Sequence, residues 1–229
     1  MRSTDEHLVK TEDEMILLLT PPFANTSHDP GYIKAYPAGL RENGGQYTHG
    51  VLWTVLAQAL LGAGDRAGEL LRLIDPIRHA ATPEQVARYK VEPYVVAADV
   101  YASPGHVGRG GWTWYTGSAA WMYRIAVESI LGITRRGDTL QLAPSIPSWW
   151  PRYEVSYRHG ASRYRIMVEN PEKRCGGVAR VELDGAVLPS GVIPLHDDGR
   201  DHEVRVVLGA GPVSRRALGR EAVSDADAR

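Results

Sequence analysis

Cysteine is almost missing from this chain. Cys175 stands alone among 229 residues, so no internal disulfide can form and a reducing, cytoplasmic compartment is the simplest expectation. An excess of charge is missing too. The formal net charge is −1, which leaves no electrostatic case for nucleic acid or an anionic membrane, and any anion has to be held by a local cluster. No long apolar run occurs. The first residues are polar and acidic, and the run Met15 to Leu19 is too short for a signal-peptide core or a membrane span. Phenylalanine is nearly absent, one residue against six tryptophans and eleven tyrosines. Trp and Tyr join a flat apolar face to a polar handle, a bias that suits sugar binding and equally a Trp-rich core. Several chemistries are excluded in the same way. The eight histidines include no His-x-x-x-His pair, and no carboxylates cluster at metal-ligand spacing. No Gly-x-Ser-x-Gly elbow occurs, and Cys175 lies amid Arg and Gly away from the polar loops, so Ser or Cys nucleophiles are not expected. Gly108-Arg109-Gly110-Gly111 lacks the Lys-Ser/Thr ending of a phosphate-binding P-loop.

What is present is an ordinary globular composition, 43% hydrophobic and 23% charged, divided into a helical part and a β part. Residues 12–19 are too short a window to tell strand from helix, and Pro21-Pro22 stops them. Residues 23–40 read as a long irregular loop, a kind of segment that is often functional. From Gln46 on, His49, Leu52, Trp53, Leu56, Ala59 and Leu60 share one helical face, closed by Gly62 and Gly64. Asp65 is a candidate N-cap for a second helix that ends before Pro76. Thr82-Pro83-Glu84-Gln85 carries an N-cap, Pro at the first helical position and Gln three residues after the cap. The Ala/Val-rich stretch Val91 to Ala102 is expected to be helical, as is Ala119 to Leu131. After Gly132 the period changes to two, with strands expected at 139–142, 154–158, 163–169, 178–183, 186–188 and 203–208, and an Asp184-Gly185 hairpin turn of type I′. That spacing indicates a β-sandwich. From about Ala210 the chain is polar and is expected to be a disordered tail.

Two polar, Gly-rich stretches each lead into an apolar helix. Arg41-Glu42-Asn43-Gly44-Gly45-Gln46-Tyr47-Thr48-His49 is one, and the stretch from Ser103 to Ser118 is the other. Anion binding needs directed N–H groups, a helix start and one or two hydroxyl or cationic groups. Thr116, Gly117 and Ser118 offer hydroxyls and close backbone approach, and His49 offers an imidazole; Arg41 and Arg109 are further candidates. The competing reading is ordinary N-capping by Thr116 and a core or surface His49. Glycoside hydrolysis normally uses two carboxylates. Glu42 is the one good candidate in the loops, while Glu92 and Asp99 fall in the segment expected to be a buried helix.

Three long motifs in order resemble glycoside hydrolase family 94. They are Gly31-Tyr32-Ile33-Lys34-Ala35-Tyr36-Pro37-Ala38-Gly39-Leu40 running into Arg41–His49, then Val91-Glu92-Pro93-Tyr94-Val95-Val96-Ala97-Ala98-Asp99-Val100-Tyr101, then Gly108 to Trp121. The likeness covers roughly residues 8–209, and within the family it is to the C-terminal region of the cyclic β-1,2-glucan synthases and β-1,2-oligoglucan phosphorylases. It implies an α+β multidomain fold: the C-terminal helices of an (α/α)6 toroid barrel over 21–132, after a polar segment 1–20, then an antiparallel β-sandwich over 133–209 and a tail over 210–229. It implies inverting phosphorolysis of a β-glucosidic bond to an α-sugar 1-phosphate, with inorganic phosphate as co-substrate and no other cofactor. Phosphate takes the place of base-activated water, so one catalytic carboxyl suffices. By position, His49, Thr116 and Gly117 match the phosphate-binding residues. Tyr36, Arg41 and Glu42 match positions lining the sugar subsites.

The chain also departs from the family. Arg41 stands for the Lys of cellobiose-acting members and Ala98 for an expected Gln, both favouring a β-1,2-glucan. The Asp-Trp-Asn-Asp-like motif that carries the general acid does not occur. The expected partners are therefore a β-linked glucan, phosphate and the N-terminal part of an enzyme. The chain is expected to be inactive alone, with Leu52, Trp53 and Leu56 partly exposed. A non-catalytic carbohydrate-binding or degenerate fragment is the alternative reading, and a small hydrolase using Glu42 lacks a base for water.

Overall fold

Prolines and glycines cut the first 125 residues into short elements. A computed structural model describes residues 1–114 and 117–211. The chain falls into two compact units, the first formed by Met1–Ala57 and Glu69–Ile125, the second by Gln58–Gly68 and the chain from Ala126 on.

The first unit begins with α1 (Arg2–His7), β1 (Val9–Lys10) and β2 (Met15–Ile16). β1 and β2 pair antiparallel, which settles residues 12–19 as part of a hairpin. A 3-10 turn over Gly31–Ala35 interrupts the long loop. β3 (Gln46–Tyr47) then leads directly into α2 (Thr48–Leu60). α3 (Gly64–Leu73) and α4 (Pro76–His79) follow, the latter with Pro76 at its first position and the Asp75 carboxylate accepting from the Ile77 N–H at 2.9 Å. In α5 (Pro83–Tyr89) the capping box read from Thr82 and Gln85 is complete: Gln85 N–H donates to the Thr82 hydroxyl at 3.3 Å, and Thr82 N–H donates to Gln85 Oε1 at 3.1 Å.

The expected helix over Val91 to Ala102 is absent. The segment is extended or turned and contributes β4 (Asp99–Val100), paired antiparallel with β3. Its apolar content is core content all the same. Ala97 and Val100 pack with Met15 and Tyr89, and Val91 and Ala102 lie against that cluster. The valines are stiff at χ1 and favour extended chain, and Pro93 removes a helix donor. Helical content resumes in α6 (Ser118–Arg124), which continues as a π-helical segment over Ile125–Ile130.

Exposure of the α2 face was also only partly as expected. Trp53 is 56% exposed and Leu56 half-buried, but Leu52 is fully buried. A leucine in that state contributes about 1.5–3 kcal/mol relative to an exposed one, so Leu52 is a core residue.

The described residues of the second unit carry eight strands: β5 (Ile133–Arg136), β6 (Thr139–Leu142), β7 (Arg152–His159), β8 (Ser162–Glu169), β9 (Val178–Leu183), β10 (Ala186–Val187), β11 (Val192–Pro194) and β12 (Asp201–Leu208). They form a five-stranded sheet in the order β10-β9-β12-β8-β7 and a three-stranded sheet in the order β11-β6-β5. Tyr164, Ile166 and Val168 on β8 alternate inward, as do Val204, Val206 and Leu208 on β12 and Leu140 and Leu142 on β6. The β9–β10 turn has Asp184 and Gly185 both at positive φ, 49° and 81°, as a type I′ turn requires. One expectation needs correction: β12 runs parallel to β8, so the larger sheet is mixed. A hairpin produces only antiparallel neighbours, and the long excursion through β9 to β11 is the crossover that a parallel pair needs. Asp65, expected to cap its own helix, instead accepts the Ser148 N–H and hydroxyl. Of the expected tail, residues 212–229 lie outside those described. Among the described residues no helix is long and apolar enough to cross a membrane, and no His, Cys, Asp and Glu group could hold a metal.

Candidate functional site

The Arg41–His49 stretch resolves into two kinds of residue. Its amides are structural. Asn43 is buried, donates to the carbonyls of Tyr36 (2.7 Å) and Phe23 (3.1 Å), and accepts the Phe23 N–H (2.7 Å). Gln46 is also buried and accepts the Ile16 N–H at 3.0 Å. These bonds fix the long loop and β2 to the turn, and leave Arg41, Glu42 and His49 as the groups free for chemistry.

Arg41 and His49 line a cleft of about 590 Å³ in the first unit, together with Tyr36, Tyr47, Ala98, Trp112 and Gly117. Tyr36, Arg41, His49 and Gly117, named from sequence, thus come together. Glu42 sits beside Arg41. Thr116 lies outside the described residues. Arg109 is exposed and is not among the lining residues.

Arg41 adopts a left-handed backbone, φ 45°, which is costly for a long side chain and is held by its surroundings. Its guanidinium lies 5.5 Å from the Tyr36 ring centroid, a cation–π distance. Arg41 Nε is 3.6 Å from Glu42 Oε2, and Arg41 Nη1 is 3.8 Å from Asp99 Oδ1. Burial opposes the charge on Arg41, but Asp99 and Glu42 outweigh it and hold the guanidinium above its ordinary value. Burial pushes the Asp99 carboxyl above the usual carboxylate range, against the pull of the Trp112 N–H and of Arg41.

His49 stands in the first turn of α2, edge-on to Trp53 at 5.3 Å and tilted against Trp121 at 5.8 Å. A Cβ placed on Gly117 would be 4.0 Å from His49 Cε1, so the imidazole and the start of α6 face each other. Among the described residues, five buried side-chain atoms of the Arg41–His49 stretch and of Asp99 have no hydrogen-bond partner: Arg41 Nε, Glu42 Oε2, Thr48 Oγ1, His49 Nε2 and Asp99 Oδ2. Native proteins leave few such atoms unsatisfied, because each costs about 1–3 kcal/mol. Two of these residues, Arg41 and His49, line the cleft, and a guanidinium beside an imidazole matches a ligand rich in hydroxyl or anionic oxygen.

Tyr47 and Trp112 line the cleft although nothing in the sequence singles them out, and Asp99, in sequence only a possible carboxylate on an expected helix, lies against Arg41. Its position after Ala98 in the second motif was the available signal. The same motif's Glu92 accepts the Trp114 indole N–H at 3.1 Å and is not among the lining residues.

A cleft lined by Trp and Tyr faces beside a guanidinium and an imidazole suits a sugar, and the comparisons place the chain among carbohydrate-active proteins. Residues 1–132 match the model of the Glycosyl hydrolase 94 superfamily, catalytic domain, and the chain belongs to that family. It is 51% identical over 166 residues to a cyclic beta-(1,2)-glucan synthase, NdvB, of Rhizobium meliloti (strain 1021), covering 72% of this chain and 6% of that protein. It is 32% identical over 210 residues to an N,N'-diacetylchitobiose phosphorylase of Vibrio proteolyticus, covering 91% of this chain and 26% of that one. Among solved structures, a family GH92 alpha-mannosidase from Bacteroides thetaiotaomicron aligns over 87% of this chain and 22% of its own, with a TM-score of 0.32 and 14% identity. The chain thus spans about a quarter or less of the relatives' own lengths.

Proposed function

We propose that this chain supplies the phosphate side and part of the sugar side of an inverting β-glucan phosphorylase or related glycosyltransferase. The observation that carries the reading is the convergence of Tyr36, Arg41, His49 and Gly117 on one cleft, with His49 Nε2 left without a hydrogen-bond partner. Inorganic phosphate would lie between His49 and Gly117 and attack the anomeric carbon; Thr116, named by the family resemblance, lies outside the described residues. Tyr36, Arg41 and Glu42 would hold a glucosyl unit so that the attack is in line, Arg41 and Glu42 hydrogen-bonding hydroxyls and Tyr36 offering its ring. The leaving oxygen needs a proton from a carboxylic acid. That acid would be the Asp of a motif absent from this sequence, so a second piece of protein completes the reaction, and the product is α-glucose 1-phosphate.

The helices of the first unit would then be part of an (α/α)6 barrel, divided from a C-terminal sandwich near residue 132. The name of the NdvB relative, together with Arg41 and Ala98, supports a β-1,2-linked glucan as the sugar.

Phosphate titration followed by calorimetry and by the His49 ring signals tests the phosphate half. The His49→Ala variant is expected to weaken binding about tenfold or more, the effect of losing one charge-assisted bond. An unchanged affinity would sink the assignment. Phosphate release from glucose 1-phosphate with a β-1,2-glucan acceptor is expected only when a partner carrying the Asp motif is added. Turnover by the chain alone would refute the division of labour. Sugar binding with no response to phosphate would favour a carbohydrate-binding fragment.

A further inference from the structure

Asp99 is fully buried, 1% exposed, yet is not tied down as a structural carboxylate usually is. Its Oδ1 accepts the Trp112 N–H at 3.1 Å and faces Arg41 Nη1 at 3.8 Å. Its Oδ2 has no partner. Its main chain is held from two sides. Asp99 pairs with Tyr47 across β3 and β4, and its carbonyl accepts the Gly111 N–H at 2.8 Å. The approach of residues 110–112 is so close that a Cβ on Gly111 would stand 2.5–2.8 Å from the Asp99 carboxylate. Only glycine fits there, and the carboxylate is thereby pressed between Gly111–Trp112 on one side and Arg41 on the other.

Two cleft-lining residues therefore meet one buried carboxylate, Arg41 through its guanidinium and Trp112 through its N–H, and strand pairing sets a third, Tyr47, opposite its main chain. Glu42 alone cannot aim the Arg41 guanidinium, because it is the chain neighbour and meets only Nε. A second carboxylate at Nη1 fixes the plane.

We propose that Asp99 is a positioning residue that sets Arg41 and Trp112 in the geometry that binds the sugar. This rests on the sugar reading above. The charged groups that face Asp99 are Arg41 and Glu42, both from the turn; residues 110–112 bring none, and β3 brings Tyr47.

The test uses this chain, with inorganic phosphate and a β-1,2-linked glucotriose as separate probes. The unaltered chain is expected to bind the trisaccharide saturably. Its affinity should fall as pH is lowered through the raised pKa of Asp99, because protonation removes the charge that holds Arg41. Asp99→Asn keeps the acceptor for Trp112 and removes the charge. It should weaken trisaccharide binding about tenfold or more at neutral pH, abolish the acid limb, and leave phosphate affinity unchanged. Arg41→Met should be equally weak, and adding Asp99→Asn to it should cost nothing further. Glu42→Gln should retain the acid limb. Equal affinity and an equal pH profile for Asp99→Asn would overturn the inference while leaving the sugar reading intact. If Asp99→Asn does not fold, a flat acid profile of the unaltered chain overturns it instead. Absence of saturable trisaccharide binding by the unaltered chain would overturn the sugar reading, and this inference with it.

Discussion

Replacing Asn43 by Ala would separate the structural half of the Arg41–His49 stretch from its chemical half. The side chain makes three short bonds, to Tyr36 O (2.7 Å), Phe23 O (3.1 Å) and Phe23 N (2.7 Å). At about 1 kcal/mol net for each, their loss is worth about 3 kcal/mol. Stranding partly buried backbone groups raises the cost, and entry of water lowers it, so about 2–4 kcal/mol is expected. Against a typical domain stability of about 5–15 kcal/mol that is a large fraction. The loss should be local as well as global. Hydrogen exchange over residues 23–36 should accelerate more than over the second unit, and because Tyr36 lines the cleft, sugar affinity should fall with it. Asn43→Asp retains the acceptor but points a buried carboxylate at two carbonyls, so at neutral pH it should be at least as damaging. Urea unfolding followed by tryptophan fluorescence measures the first quantity. A loss below about 0.5 kcal/mol for Asn43→Ala, the size of an ordinary surface change, would refute the reasoning.

Two further predictions concern the second unit. Gly132 has φ 73°, and a Cβ there would stand 2.2 Å from the Ala143 carbonyl carbon. Gly132→Ala should therefore destabilise by roughly 3 kcal/mol or more, seen as a lowered thermal midpoint of the β signal. His202 is buried, with Nδ1 2.8 Å from Asp184 and Nε2 3.2 Å from Asp198, an arrangement of two carboxylates that favours the doubly protonated, cationic ring. The bond to Asp184, assisted by Asp198, raises its pKa. A raised value means the stabilisation is complete below the unfolded pKa of about 6.5 and is lost as pH rises through the folded pKa. The thermal midpoint of this unit should fall on that alkaline side, and His202→Asn should flatten the decline.

Much of the fold was legible because it is local. The Thr82 capping box, the Asp184-Gly185 turn and the two-residue alternation of β8 and β12 each depend on residues a few positions apart, and the structure carries all of them. The segment from Val91 was misread because composition reports burial and not backbone state. Its valines do pack in the core, but as extended chain paired to β3. The parallel β8–β12 pair was likewise invisible, since alternation says which face is buried and not which strand lies alongside.

The sequence by itself determined the family and several of the residues that line the cleft, because those reside in contiguous motifs: His49, Arg41 and Tyr36 in one, Gly117 in another. It also determined that an acid motif is absent. Only tertiary structure decided that Asn43 and Gln46 are clamps and that Asp99 lies against Arg41 and Trp112. An amide has the same composition whether it meets a ligand or a backbone carbonyl. Asp99 reaches Arg41 only because β4 pairs with β3 and because Gly111, lacking a Cβ, lets the third segment close over the carboxylate.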